Sequence, residues 1–284
     1  MASPSSKGKP RFLYCGKFDA MSRLLLLFAM IVSLCPVATA NAAEHVETID
    51  TQPGVTQGLY VVTPDTTPWA SAILYVGGQG NLALDAHGPT DQAGNFLMRI
   101  RDRLLNAGIL LVYPDTPSDK SGGYNNFRSD SRHGEDGRAI VAWTHILSTA
   151  PIFVIGTSRG TISAAYIAAH LETDAISGVA LTSSVTRTSR TLNAITSDML
   201  GGIRVPTLVM ANKGDLCGVT PPDDVPFLLN GLKNAPHKAS VLLSGGLPPI
   251  AGPCEGKAAH GFYGIEDEAA KTLIDWMTSI VAGG

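Results

Sequence analysis

The chain has 284 residues, 44% of them hydrophobic and 16% charged, with 30 Gly and 18 Pro; this composition excludes a disordered, collagenous or coiled-coil protein and fits one domain or two small ones. Five of the 21 basic residues (Lys7, Lys9, Arg11, Lys17 and Arg23) but a single acid, Asp19, fall in the first forty positions, which leaves 16 basic against 23 acidic residues beyond them. That acidic remainder argues against nucleic acid as a partner, whose binding rests on basic side chains neutralising phosphates.

Leu24 to Leu34 (LLLLFAMIVSL) is the one long apolar run. It is shorter than the roughly 20 helical residues a bilayer requires, follows Arg23 and precedes Ala38-Thr39-Ala40, the order of a secretory signal peptide. Residues 1–40 are therefore expected to be a signal, with Met21 as an alternative start and cleavage after Ala40 or Ala43. A lipoprotein signal through Cys35 is disfavoured, because Leu34 stands where a small residue is expected. The mature protein is expected in the periplasm or outside the cell, with no stable membrane span. Cleavage also removes Cys15 and Cys35, so Cys217 and Cys254 are expected to pair in an oxidising compartment; two unrelated buried thiols are the alternative.

From about Gly58 onward short β-branched runs alternate with amphipathic stretches, the pattern of an α/β domain with a mostly parallel sheet flanked by helices. Strands are predicted at Ser71 to Val76, Ile109 to Tyr113, Pro151 to Ile155, Gly178 to Thr182, Val205 to Met210 and Ala239 to Leu243, with Leu59 to Val62 as an antiparallel edge. Apolar residues at three-to-four spacing predict helices over Asn95 to Ala107, Asp136 to Leu147, Thr161 to Leu171, Asp224 to Asn234 and Ile265 to Val281. Residues 41–284 are expected to form a single domain. Pro117 to Arg132 and Thr186 to Gly202 follow strand ends, where ligands bind in parallel sheets; the second is too short for a large lid.

After the strand PIFVI the chain reads Gly156-Thr157-Ser158-Arg159-Gly160 and then a helical TISAAYIAAHL. A G-x-S-x-G pattern between strand and helix is the context of a nucleophile elbow, with a serine that merely caps a helix as the plainer alternative. A serine hydroxyl requires a histidine base and a carboxylate to orient it, in the order Ser, acid, His. Asp215, just past VPTLVMANKG, and His260, after the last strand, fill that order, and a Cys217–Cys254 bridge would tie their loops together. His45, His87, His145, His170 and His237 read more simply as surface or core residues. His133 in FRSDSRH is the rival base, and Asp223 and Asp224 read as caps of the following helix.

An oxyanion hole requires two N–H donors. Arg159 supplies one by position, and the other is expected from Gly77-Gly78-Gln79-Gly80, with Gly78 favoured and Gln79 next. Arg128 and His133 are candidate substrate contacts, a guanidinium being suited to a carboxylate; the plainer reading has such an arginine held by an internal acid such as Asp136. No H-x-x-x-H or C-x-x-C spacing suggests a metal, and no cofactor is expected.

Through GTSRGT, the Asp215 turn and His260-Gly261-Phe262 the chain resembles the α/β-hydrolase superfamily over nearly all of residues 58–284. It is most similar to exported bacterial members without settled substrates, through NFLMRIR (Asn95 to Arg101), PSD (Pro117 to Asp119), LTSSVT (Leu181 to Thr186) and PCEGKAAHGF (Pro253 to Phe262). The resemblance implies an α/β-hydrolase fold and a Ser158–His260–Asp215 triad, and departs from the family where Val76 replaces the histidine often found before the oxyanion glycine. The expected function is an exported serine esterase acting on a small acyl substrate through an acyl-enzyme. The alternatives are an amidase or peptidase using the same residues, and a non-catalytic binding protein on this scaffold.

Overall fold

The structure, a computed structural model, describes residues 43–283 apart from 121, 190 and 191. The expected signal segment, with Cys15, Cys35 and the Ala40 cleavage point, lies outside the described residues. An eight-stranded sheet runs in the order β1-β2-β6-β3-β7-β8-β9-β10. β1 (Ala43–Gln52), β2 (Val55–Thr63) and β6 (Ile109–Pro117) pair antiparallel in sequence. From β6 onward every pairing is parallel, through β3 (Ala70–Tyr75), β7 (Ile152–Thr157), β8 (Gly178–Thr182), β9 (Thr207–Asn212) and β10 (Lys238–Leu243). The short pair β4 (Leu84–Asp85) and β5 (Gly88–Pro89) stands apart.

The central strands are apolar on both faces because helices cover both. On one side pack α1 (Phe96–Arg99), α2 (Arg101–Asn106) and the C-terminal α7 (Glu266–Gly283), whose Leu97, Leu104, Leu273 and Met277 meet Leu74, Phe153 and Ile155. On the other pack α3 (Ser131–Leu147), α4 (Gly160–His170), α5 (Ser197–Gly202) and α6 (Val225–Gly231), burying Ile140, Ile162 and Leu200 against Ile73, Val154 and Val179. Successive strand residues thus serve opposite layers. Each fully buried Leu or Ile side chain contributes roughly 1.5–3 kcal/mol.

The six predicted parallel strands are present to within two residues at either end, except that β6 runs on to Pro117. Three details differ. Leu59 to Val62 lie in β2, but β2 is not the edge, since the polar β1 covers it; exposed Glu44, His45 and Asp50 make that outer strand a poor template for another chain. The helix expected over Asn95 to Ala107 breaks at Ile100 into two, although Phe96, Leu97, Ile100 and Leu104 still share one buried face. The helix expected from Asp136 begins at Ser131, because the Asp130 side chain accepts the Arg132 N–H at 2.9 Å and caps it.

The chain leaves β3 for β6 on one side and leaves β7 for β8 on the other, so the winding reverses between β3 and β7. A crevice opens outside the carboxyl ends of strands at such a reversal. Gly77–Gly80 follows β3 and Ser158 follows β7.

Candidate active site

Ser158 stands at the turn from β7 into α4 with φ +74°, a left-handed conformation costly for a residue with a side chain. The turn is held by the Ser158 N–H on the Thr182 carbonyl at 3.0 Å and by the Thr161 hydroxyl on the Ser158 carbonyl at 2.6 Å. Its flanking glycines are steric necessities: a Cβ on Gly156 would lie 2.4 Å from the Gly160 oxygen, and one on Gly160 would lie 2.0 Å from the Tyr75 oxygen. The close approach of α4 to β3 and β7 therefore fixes where the hydroxyl points.

His260 sits in a short 3-10 turn (Ala259–Gly261) with Nε2 2.9 Å from Ser158 Oγ and Nδ1 2.9 Å from Asp215 Oδ2. Asp215 ends a tight turn after β9, in which Asn212 Oδ1 accepts the Gly214 N–H at 2.8 Å. Its Oδ1 accepts the Cys217 N–H at 2.8 Å and its Oδ2 the Thr220 hydroxyl at 2.9 Å. A disulfide joins Cys217 to Cys254 with their Cα atoms 4.6 Å apart, linking the Asp215 turn to the segment that leads into His260. The structure therefore brings Ser158, His260 and Asp215 into one chain of hydrogen bonds, and the two expected cysteines into one bridge.

Ser158 and His260 open onto a cavity of about 830 Å³. One wall is the Gly77–Gln79 loop with Arg159; others come from Thr90–Phe96, from Ser189 and Leu192, and from Ala251 and Cys254–Lys257. The cavity carries both signs, Arg159 and Lys257 against Asp91 and Glu255. Among the described residues the backbone N–H groups of Gly78, Gln79 and Arg159 donate to no protein acceptor, and all three residues line the cavity beside Ser158. No group of three or more His, Cys, Asp or Glu side chains is placed to hold a metal ion among the described residues, and no helix there is long and apolar enough to cross a membrane.

Several expectations are corrected. Arg128 is 1% exposed and stands behind the Gly77–Gly80 loop, not on the cavity wall, so it is no substrate contact there. His133 is fully buried in the first turn of α3, ringed by Tyr75, Tyr124 and Phe127 at 5.1–5.6 Å between ring centroids. Burial, with Arg128 adding to it, pushes its pKa down to about 3. It is therefore neither a base beside Ser158 nor a wall of the cavity. The Pro117 to Arg132 stretch turns inward to bury Tyr124, Phe127 and Arg128 and does not overhang the site, whereas Thr186 to Gly202 does, through Ser189 and Leu192. Asp224 makes no capping bond and instead accepts from Thr186 Oγ1 and Arg187 Nε. Among the described residues Asp136 pairs with Gln52 Nε2 at 2.6 Å and with no arginine.

Sequence reasoning assigns no role to Thr220, Ser183 or Arg99. Thr220 Oγ1 lies 3.1 Å from His260 Nδ1 as well as on Asp215. Ser183 Oγ donates to the His260 carbonyl at 2.7 Å. Arg99 donates to the carbonyls of Gly94 and Gly261, each at 2.6 Å, and pairs with Glu266 at 3.1 Å, so one guanidinium joins a cavity wall, the histidine turn and the start of α7. Arg99 lies in the NFLMRIR segment and Ser183 in LTSSVT, whereas Thr220 lies in no such segment.

The sequence matches no protein-family model and no curated protein. The structure is similar to an esterase from Pyrococcus furiosus (TM-score 0.60, 14% identity, 84% of this chain and 93% of that one). It is similar also to a dienelactone hydrolase from Anabaena variabilis (0.59, 12%, 84% and 98%) and to an α/β serine hydrolase without lid from Xanthomonas campestris (0.53, 16%, 84% and 97%). These likenesses, all under 25% identical, show the fold: this chain has the α/β-hydrolase fold.

Proposed function

We propose that the chain is an exported serine hydrolase that cleaves a small ester through an acyl-enzyme on Ser158. The observation that carries this reading is the relay from Ser158 Oγ through His260 to Asp215, each link 2.9 Å, opening onto a cavity beside unpaired N–H groups. Ser158 Oγ attacks the ester carbonyl while His260 Nε2 takes its proton, and Asp215 orients the ring and stabilises the imidazolium. The oxyanion is held by the N–H of Arg159 and one from Gly78 or Gln79, each such donor being worth about 10²–10³ in kcat. His260 returns the proton to the leaving alkoxide. It then takes one from water, which attacks the acyl group, releases the acid and restores Ser158.

A balanced pair of cations and acids around the cavity favours an uncharged acyl group over an anionic one. Solved structures of this fold include esterases, which supports an ester over an amide. The Cys217–Cys254 bridge supports an oxidising compartment.

The test is labelling of the folded mature protein with a fluorophosphonate, followed by intact mass and peptide mapping. One adduct on Ser158, absent in Ser158→Ala, together with hydrolysis of short p-nitrophenyl esters by the unsubstituted protein alone, is the expected result. A folded protein that takes no label and turns over no ester overturns the reading and favours a binding protein on this scaffold.

A further inference from the structure

Among the described residues Arg128 is the largest fully buried side chain, and it pairs with no carboxylate there. Its Nη1 donates to Ser163 Oγ at 2.7 Å; its Nη2 donates to the Val76 carbonyl at 3.1 Å and reaches the Gly78 carbonyl at 3.4 Å. Its guanidinium lies over the Tyr124 ring, 4.6 Å from the centroid, and the Tyr124 N–H donates to the Gln79 carbonyl at 2.9 Å. Tyr124 is itself anchored through its hydroxyl, which donates to the Asp115 carbonyl and accepts from Gln57, each at 2.7 Å. Three carbonyls of the glycine loop, at Val76, Gly78 and Gln79, are thus gripped from behind.

Every peptide bond here is trans, so the gripped Val76, Gly78 and Gln79 carbonyls turn the N–H groups of Gly77, Gln79 and Gly80, which share their peptide planes, the opposite way; of these, the Gln79 N–H is one of the free donors beside Ser158. The loop allows the grip because Gly80, at φ +79°, has no side chain: a Cβ there would lie 2.4 Å from Arg128 Nη2 and 2.5 Å from Tyr124 Cδ2. Burying an unpaired guanidinium is costly, and desolvation lowers its pKa to about 10, so it remains charged at neutral pH. A cation on these carbonyls also polarises the peptides whose N–H groups face the other way.

We propose that Arg128 is a positioning residue for the oxyanion hole, fixing the Gly77–Gly80 loop so that the Gln79 N–H, which shares its peptide plane with the gripped Gly78 carbonyl, stands ready for the negative charge that develops beside Ser158. The inference rests on the hydrolase reading above. A loop set in advance stabilises the transition state more than the bound ester, so losing the grip lowers kcat and leaves KM nearly unchanged.

The experiment compares wild type, Arg128→Met and Arg128→Lys on a p-nitrophenyl ester, with rates expressed per fluorophosphonate-titrated serine so that a fall in folded fraction does not count. Expected are a loss of about 100-fold in kcat for Arg128→Met and about 10-fold for Arg128→Lys, which keeps the charge but not the fork, with KM within about twofold. Affinity for a boronic acid that forms a tetrahedral adduct on the serine falls by the same factors. Should Arg128→Met fail to fold, Arg128→Lys decides alone. A kcat per titrated site within twofold of wild type, or a loss confined to KM, overturns the inference while wild-type turnover leaves the hydrolase reading standing. A wild type without label or turnover overturns both.

Discussion

Ser158 reaches the cavity in a backbone conformation that its own side chain disfavours, and the glycines on either side are what make the turn possible. His133 shows the opposite case, a chemically capable residue disarmed by its surroundings. With its pKa near 3, it is neutral in the folded protein across the ordinary range, while in the unfolded chain it titrates near 6.5. Above pH 6.5 it is neutral in both states and gives no pH dependence. As pH falls from 6.5 toward 3 the unfolded chain takes up a proton that the folded protein refuses, so stability falls by up to about 1.4 kcal/mol per pH unit. The groups around it are accounted for: Arg128 disfavours its protonation and Asp130 favours it. Asp136, one turn along α3, has a pKa raised mainly by burial and acts in the opposite sense, holding its proton longer when folded. The substitution His133→Phe removes the histidine contribution alone. Comparing urea unfolding at pH 7 and pH 4.5, we expect the variant to gain about 2–3 kcal/mol on wild type in going to the lower pH; equal acid sensitivity of the two proteins would show that His133 is not the responsible group.

At the scale of elements, the active-site segments are held by cross-links whose partners come from far along the chain. Asp215 and His260 lie on separate loops after β9 and β10, and the Cys217–Cys254 bridge closes 37 positions between them. In the chain-entropy account a loop of that size is worth roughly 3–4 kcal/mol, and its ends lie two residues beyond Asp215 and six before His260. Reduction, or the double substitution Cys217→Ala with Cys254→Ala, is therefore expected to lower the melting temperature and to reduce kcat several-fold, because Asp215 loses the fixed turn that aims it at Nδ1. Calorimetry and ester turnover measured in parallel check this. Unchanged kcat in the reduced protein would mean that Thr220 and the Cys217 N–H suffice to aim the carboxylate. Elements of this kind are only partly legible in a sequence. Hydrophobic runs reveal β3, β7, β8 and β9 because both faces are buried. β1 is half-exposed and polar and carries no such run. The three-to-four periodicity of Asn95 to Ala107 reports a shared buried face and is blind to the break at Ile100. The meeting of Ser158, His260 and Asp215 was readable because strand–turn–helix grammar and chain order constrain them. Arg128 stood as a candidate substrate contact because its chemistry suits a ligand, whereas among the described residues its side chain bonds to Ser163 and to the backbone of its own protein.

For the whole molecule, the remaining question is which chain the cell folds. The acidic part of the sequence follows the basic, apolar segment expected to be a leader, and the edge strand β1 spans Ala43–Gln52. Cleavage after Ala40 leaves β1 whole. Cleavage after Ala43 removes one residue and keeps Glu44, whose carboxylate pairs with Arg101 at 3.1 Å and accepts from the Tyr60 hydroxyl. Either product retains the register that joins β1 to β2, so the fold does not choose between them. A protein collected from an exporting host is expected to begin at Asn41 or Glu44 by intact mass, and to show no free thiol until reduced and two afterwards. The same residues 41–284 made in a reducing cytosol are expected to show two free thiols and the lowered kcat of the reduced protein, recovered on oxidation. Exported protein that still carries residues 1–40, or that has free thiols at Cys217 and Cys254, would break the link between compartment, bridge and active-site geometry.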